Sequence, residues 1–308
     1  MNDRVAPTPD WTRRRWLAGA ALVGLGVLGA DMSPATATID PAETDAIDAR
    51  LKATNLRNTG LSETDRYFSL GDAPDDFRDG ALVVCEGLAR TLRKHLTTKG
   101  IEIVMPGKKM AVVVLAGRKS YEAFKGEAAG GDEGGLFDLD ANRLVIYQTE
   151  NPIVNTFTLV HEATHQLTYN TGLLSRRGDV PVALSEGFAT YGEVWRKDRP
   201  SLERPNGPRL GVLKKTGGKG IKWIPLAKLL TDDEVFFSKK TEQLAYAESC
   251  LWIFDLLQTA DGAKKLQIYL AAVRKRANPG HRVEDAETAF GDLARLDAAL
   301  KSAARKIR

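Results

Sequence analysis

The sequence predicts an α+β fold, a small sheet with covering helices followed by an almost wholly helical C-terminal half. Three observations carry this. The run Lys109-Met-Ala-Val-Val-Val-Leu-Ala116 is continuous, apolar and rich in β-branched residues, as in a strand buried on both faces. Leu136-Phe-Asp-Leu and Leu144-Val-Ile-Tyr147 flank the turn-forming Asp140-Ala-Asn-Arg and read as a hairpin. From 241 to 306 apolar residues recur at helical spacing, among them Leu251, Phe254, Leu257, Leu266, Tyr269 and Leu270. With 308 residues, 43% hydrophobic and 27% charged, the chain has an ordinary globular composition. Its net charge of +4 is weak, with Lys and Arg interspersed among Asp and Glu, so no nucleic-acid partner is expected.

Taken in order, the chain opens with Thr12-Arg13-Arg14-Arg15-Trp16-Leu17, an apolar run to Ala30, and Ser33-Pro-Ala-Thr-Ala37. The run is short for a bilayer span and suits a signal-peptide core, with cleavage after Ala37. The arginines before it resemble a twin-arginine export signal. Residues 1–37 are therefore expected to be an export signal, the mature protein to be periplasmic or in the cell envelope, and no stable membrane association to remain after cleavage. A short membrane anchor is the alternative. Export leaves Cys85 and Cys250 free to form one disulfide or to stay as two buried thiols.

Residues 40–57 read as a polar lead-in helix, and Arg66-Tyr-Phe-Ser-Leu70 as a first strand. From Phe77 to Lys99, Leu82, Val83, Leu88, Leu92 and Leu96 make an amphipathic helix with His95 on its surface. Gly117 ends the 109–116 strand, a short helix follows over Ser120–Lys125, and Gly126–Gly135 is a flexible, Gly-rich loop. After the hairpin comes a helix from about Ile153 to Tyr169. Ser201–Gly220, rich in Pro, Gly, Lys and Arg, reads as an exposed excursion. Ile224–Leu230 returns to packed structure, and His281 falls in an exposed turn.

The 153–169 helix carries Thr156-Phe-Thr-Leu-Val-His161-Glu162-Ala-Thr-His165-Gln-Leu. Histidines four residues apart project from one helical face and can reach one ion, with Glu162 beside them to act on water. Phe157, Leu159, Val160 and Leu167 make the helix apolar, so these polar groups would be buried and need partners. A tetrahedral catalytic zinc wants a third protein ligand. Thr171 stands where a third histidine of a continued motif would fall. Further on, Pro181-Val-Ala-Leu-Ser-Glu186-Gly-Phe-Ala-Thr-Tyr-Gly-Glu193 forms a second apolar helical stretch, and a turn through Gly172 and Gly178 would return Glu186 to the His pair. The spacing favours Glu186. Glu193 is the rival, or else an exposed or supporting carboxylate.

HEATH followed by LSEGFATYGE resembles the gluzincins, zinc peptidases whose third ligand is a glutamate on the next helix, and is most similar to the bacterial peptidase MA-like proteins. The resemblance is specific over residues 155–195 and covers 60–306 only in the order of elements. It implies a zincin-like core, Zn2+ held by His161, His165 and Glu186, Glu162 as general base, and a peptide or protein substrate. It also implies a division at about residue 200, with 38–200 the catalytic core and 201–308 a helical part completing the cleft. Glu242-Gln-Leu-Ala-Tyr246 resembles the helix start where, in the aminopeptidase N class, a tyrosine bonds the oxyanion, which would make Tyr246 catalytic; an ordinary helix residue is the alternative. The segment that fixes a substrate amino terminus in that class has no counterpart at Gly134-Gly-Leu-Phe-Asp-Leu-Asp, so an endopeptidase is expected in preference to an aminopeptidase. The rivals are an exported zinc-binding envelope or scaffold protein without turnover, and a zinc amidase of cell-wall amides. Leu144–Tyr147 is expected to be an edge strand that pairs with substrate, with Gly126–Gly135 a mobile flap; an interior strand and a passive loop are the alternatives.

Overall fold

The computed structural model describes residues 37–131, 133–218 and 222–307. The export signal read at 1–37 lies almost wholly outside them. Five strands form one sheet: β1 (Ser62–Glu63), β2 (Tyr67–Leu70), β3 (Met110–Leu115), β4 (Gly135–Asp138) and β5 (Arg143–Tyr147), in the order β1-β2-β3-β5-β4. β2, β3 and β5 run parallel, and the edges β1 and β4 are antiparallel. The α+β class is as expected.

Side-chain alternation divides the sheet cleanly. Met110, Val112, Val114, Leu144 and Ile146 face the larger core, and Ala111, Val113, Leu115, Val145 and Tyr147 the smaller. On the larger side lie α2 (Asp75–Thr98) and α4 (Pro152–Asn170); on the smaller lie α1 (Pro41–Ala53) and α3 (Arg118–Lys125). Both faces are covered, which is why β3 is an unbroken apolar run. The larger core continues through α5 (Val182–Gly192), α6 (Gly207–Gly218), α7 (Leu226–Thr231), α8 (Glu242–Gln258), α9 (Ala260–Val273), α10 (Arg282–Phe290) and α11 (Leu293–Lys306). Among the described residues no helix is long and apolar enough to cross a membrane.

Five expectations are corrected or resolved. β5 is hydrogen-bonded on both sides, to β3 and β4, so Leu144–Tyr147 offers no free edge to a substrate. β4 is the edge. His95 is 7% exposed, because α2 turns it toward α5, where the Tyr191 hydroxyl meets its Nε2 at 2.7 Å; Val83 is the exposed residue, at 43%. The excursion at 201–220 contains α6, whose Leu210 and Leu213 are buried with Leu202. The described part of the Gly-rich loop is tied down: the Arg118 guanidinium donates to the carbonyls of Ala129, Gly130 and Gly131, and buried Glu133 accepts from Tyr121 and, at 2.7 and 2.9 Å, from Lys125. Cys85 and Cys250 are separate buried thiols.

Candidate metal centre

α4 starts cleanly because Asn151 caps it, its side chain accepting from the N–H of Ile153, and because Pro152 stands at the first helical position, where a missing N–H costs nothing. Nine residues into the helix come His161 and then, one turn on, His165. Close packing brings α5 to them. A Cβ at Gly192 would meet Thr164 Oγ1 of α4 at 2.1 Å, and one at Gly187 would meet Ile253 of α8 at 2.7 Å. Both glycines lower helix propensity by roughly 1 kcal/mol each and are explained by the contact they allow.

The result is a convergent trio. His161, His165 and Glu186 are 2%, 2% and 3% exposed, with ligand atoms all within 4.8 Å of one another. His161 Nε2 and His165 Nε2 lie 3.3 and 3.4 Å from Glu186 Oε2, all three atoms are buried, and His161 Nε2 makes no hydrogen bond. Orphaned buried polar atoms are costly. A tetrahedral ion with bonds of ~2.0–2.1 Å would have ligand-to-ligand edges of about 3.3–3.4 Å. The donors therefore fit a metal ion, and they lie close enough to hold one.

The outward nitrogens are held differently. His161 Nδ1 is 2.9 Å from Glu193 Oε1. Glu193 also accepts from Arg209 Nη2 at 2.6 Å and Nε at 3.0 Å, and from Asn206 Nδ2 at 2.8 Å. A carboxylate in that grip can only accept, so His161 holds a proton on Nδ1 whatever its charge, and Nε2 is the nitrogen that turns to the trio and would offer its lone pair to an ion. His165 Nδ1 is 3.0 Å from Ser185 Oγ, which the Tyr169 hydroxyl reaches at 3.3 Å. With Nδ1–H donating to Ser185, His165 Nε2 faces Glu186 from the other side of the trio.

Glu162, fully buried, accepts the Phe137 N–H of edge strand β4 on Oε2 at 2.8 Å, while Oε1 has no partner. Burial pushes its carboxyl above the usual range, against the pull of the two histidines. Burial opposes the imidazolium of His161, yet the carboxylates of Glu186 and Glu193 outweigh it and push His161 up to about 10. Burial would raise Glu186 too, but His165 and His161 hold it down at about 2. Without an ion the trio thus favours a proton on His161, which an ion must displace. Tyr246, 2% exposed, has its ring 6.5 Å from that of His161 and edge-on to Phe236, and burial keeps its phenol protonated.

The structure brings together the five predicted residues His161, Glu162, His165, Glu186 and Tyr246, and puts Glu193 behind His161 and outside the trio. The sequence reading missed Asn206, Arg209, Ser185 and Tyr169. The apolar pair Leu210 and Leu213 beside Arg209 is the one signal that a packed helix lay there.

The family described as "Protein of unknown function (DUF1570)" matches residues 155–277, a stretch that includes the metal trio, α5, α6 and α8 but less than half of the chain. No curated protein gives a significant match.

Proposed function

We propose that this protein is a zinc-dependent peptide hydrolase of the gluzincin type, an endopeptidase acting outside the cytoplasm. The observation that carries the reading is Glu162: a buried carboxylate beside two histidines and a glutamate, one oxygen fixed by a backbone N–H and the other left without a partner. Two imidazoles and one carboxylate suit zinc and leave a fourth position open. Zinc, when bound, supplies a Lewis acid for the scissile carbonyl. His161, His165 and Glu186 would hold it, and Glu193 and Ser185 orient the imidazoles. Glu162 Oε1 takes a proton from water and passes it to the leaving amine, a role favoured by its raised proton affinity. Tyr246 stands beside His161 with a protonated hydroxyl to donate to the developing oxyanion. An extended peptide would add to β4, the edge strand next to Glu162.

Burial favours a second reading. All four atoms facing the trio, Glu162 Oε1 among them, are shut from solvent, as in a metal site of an envelope scaffold protein without turnover. One experiment separates the two. The purified full-length protein should contain close to one zinc per chain and cleave an unfolded casein-like substrate, a chelator should abolish the cleavage, and Glu162→Gln should keep the zinc while losing most turnover, on the order of 100-fold or more. Full zinc with no cleavage selects the scaffold, and a protein that takes up no divalent metal refutes both.

A further inference from the structure

Arg209 lies in a stretch with the composition of an exposed loop, yet its side chain is 2% exposed. Its guanidinium carbon stands 6.0 Å from the ring centre of Phe157 on α4 and 5.4 Å from that of Tyr246 on α8. Two of its nitrogens grip Glu193 side-on, and Asn206, one residue before α6, donates to the same carboxylate and to the Thr190 carbonyl, each at 2.8 Å. With His161 Nδ1 this makes four donors on Glu193, all that a carboxylate can seat.

We infer that Arg209 is a positioning residue of the metal centre, and that α6 is a clasp whose docking is coupled to metal occupancy through Arg209, Glu193 and His161. A buried carboxylate facing His161 with no cation would be an uncompensated charge. Arg209 neutralises it, so His161 gains an oriented acceptor while the metal site gains no net charge. The side-on, two-bond grip also fixes the plane of the carboxylate, which a lysine could not do. Coupling between sites is reciprocal. An ion that immobilises His161 must therefore hold α6 more firmly to the body, and a loosened α6 must weaken the ion. The inference rests on the metal reading above, deepens it, and concerns residues that do not touch the ion.

The test uses the full-length chain and reads zinc affinity by competition with a chromophoric chelator, together with amide exchange over 207–218 with and without zinc. Arg209→Met and Glu193→Gln should each weaken zinc on the order of 10- to 100-fold. The double variant, which leaves no unpaired buried charge, should be no weaker than the poorer single, because both act through one path. Zinc should slow exchange in α6 of the wild type and have little effect there in Arg209→Met. If the wild type binds zinc and Arg209→Met binds it equally well, the inference falls while the metal reading stands. Should that variant not fold, Arg209→Lys takes its place in the same comparison. Fully additive losses in the double variant would also overturn the inference, and a wild type that binds no divalent ion would take down both readings.

Discussion

On one side of the metal trio His161 leans on a charged assembly, Glu193 gripped by Arg209 and Asn206; one helical turn along, His165 leans on a neutral hydroxyl, that of Ser185, to which the Tyr169 hydroxyl donates. The two histidines sit on one helix and offer the same atom to the same place, so the difference isolates what the outer partner contributes. A carboxylate makes its imidazole more basic and fixes its tautomer outright, but it had to be dehydrated to get there and is stable only while its cation stays. A hydroxyl contributes less and can be lost with less damage, because it is itself uncharged and its removal strands no counter-ion. The charged side is therefore expected to be all-or-none and the hydroxyl side graded.

Glu193→Ala is the most drastic way to break the contrast, since it strands Arg209 inside the protein without its counter-ion. It should lower the unfolding free energy by about 3–5 kcal/mol by denaturant titration, and a loss near 1 kcal/mol would mean that the ion pair is not what holds that side. Glu248 on α8 sharpens the comparison, for it is a buried carboxyl whose hydrogen-bond donor is the Ile224 N–H, at 3.0 Å, and not a guanidinium. Burial raises it from 4.5 to about 8, more than the Ile224 N–H and Lys301 offset. Between those values the folded protein keeps a proton that the unfolded chain releases. Stability is thus full below pH 4.5 and declines as pH rises through about 8. Glu248→Gln should match the wild type near pH 4.5 and exceed it at pH 9 on the order of 5 kcal/mol; a difference that does not change with pH refutes the account. The smallest effect is expected at Ser185→Ala, about 1 kcal/mol of stability and a modest weakening of metal binding. A loss there as large as that of Glu193→Ala would erase the distinction between the two sides.

How far the site could be read from sequence followed the range of the signal. His161 and His165 are four apart, and helical geometry alone puts them on one face. Glu186 needed one more step, a second apolar helix after a Gly-containing turn, and the pattern supplied it. Arg209 and Asn206 were out of reach because their partner lies on another helix and their surroundings are Pro, Gly, Lys and Arg, residues that locally signal exposure. His95 shows the same limit at closer quarters. It follows Leu92 by three residues and so falls on the buried face of α2, but a histidine there has a polar ring to satisfy, and only the Tyr191 hydroxyl of α5 makes burial affordable.

The sequence by itself determined the helices that carry the metal trio, the strand that is buried on both faces, and that two histidines and a glutamate could converge. Those properties depend on neighbours a few residues away, whose periodicity is written in the chain. Only the tertiary structure decided that β4 and not β5 is the edge strand, that Glu193 stands behind His161 instead of joining the trio, and that α6 packs behind Glu193. Strand order and the pairing of buried charges are settled by which distant surfaces meet, and a charge that is solvated in the open chain takes on its role only when packing removes the water from it.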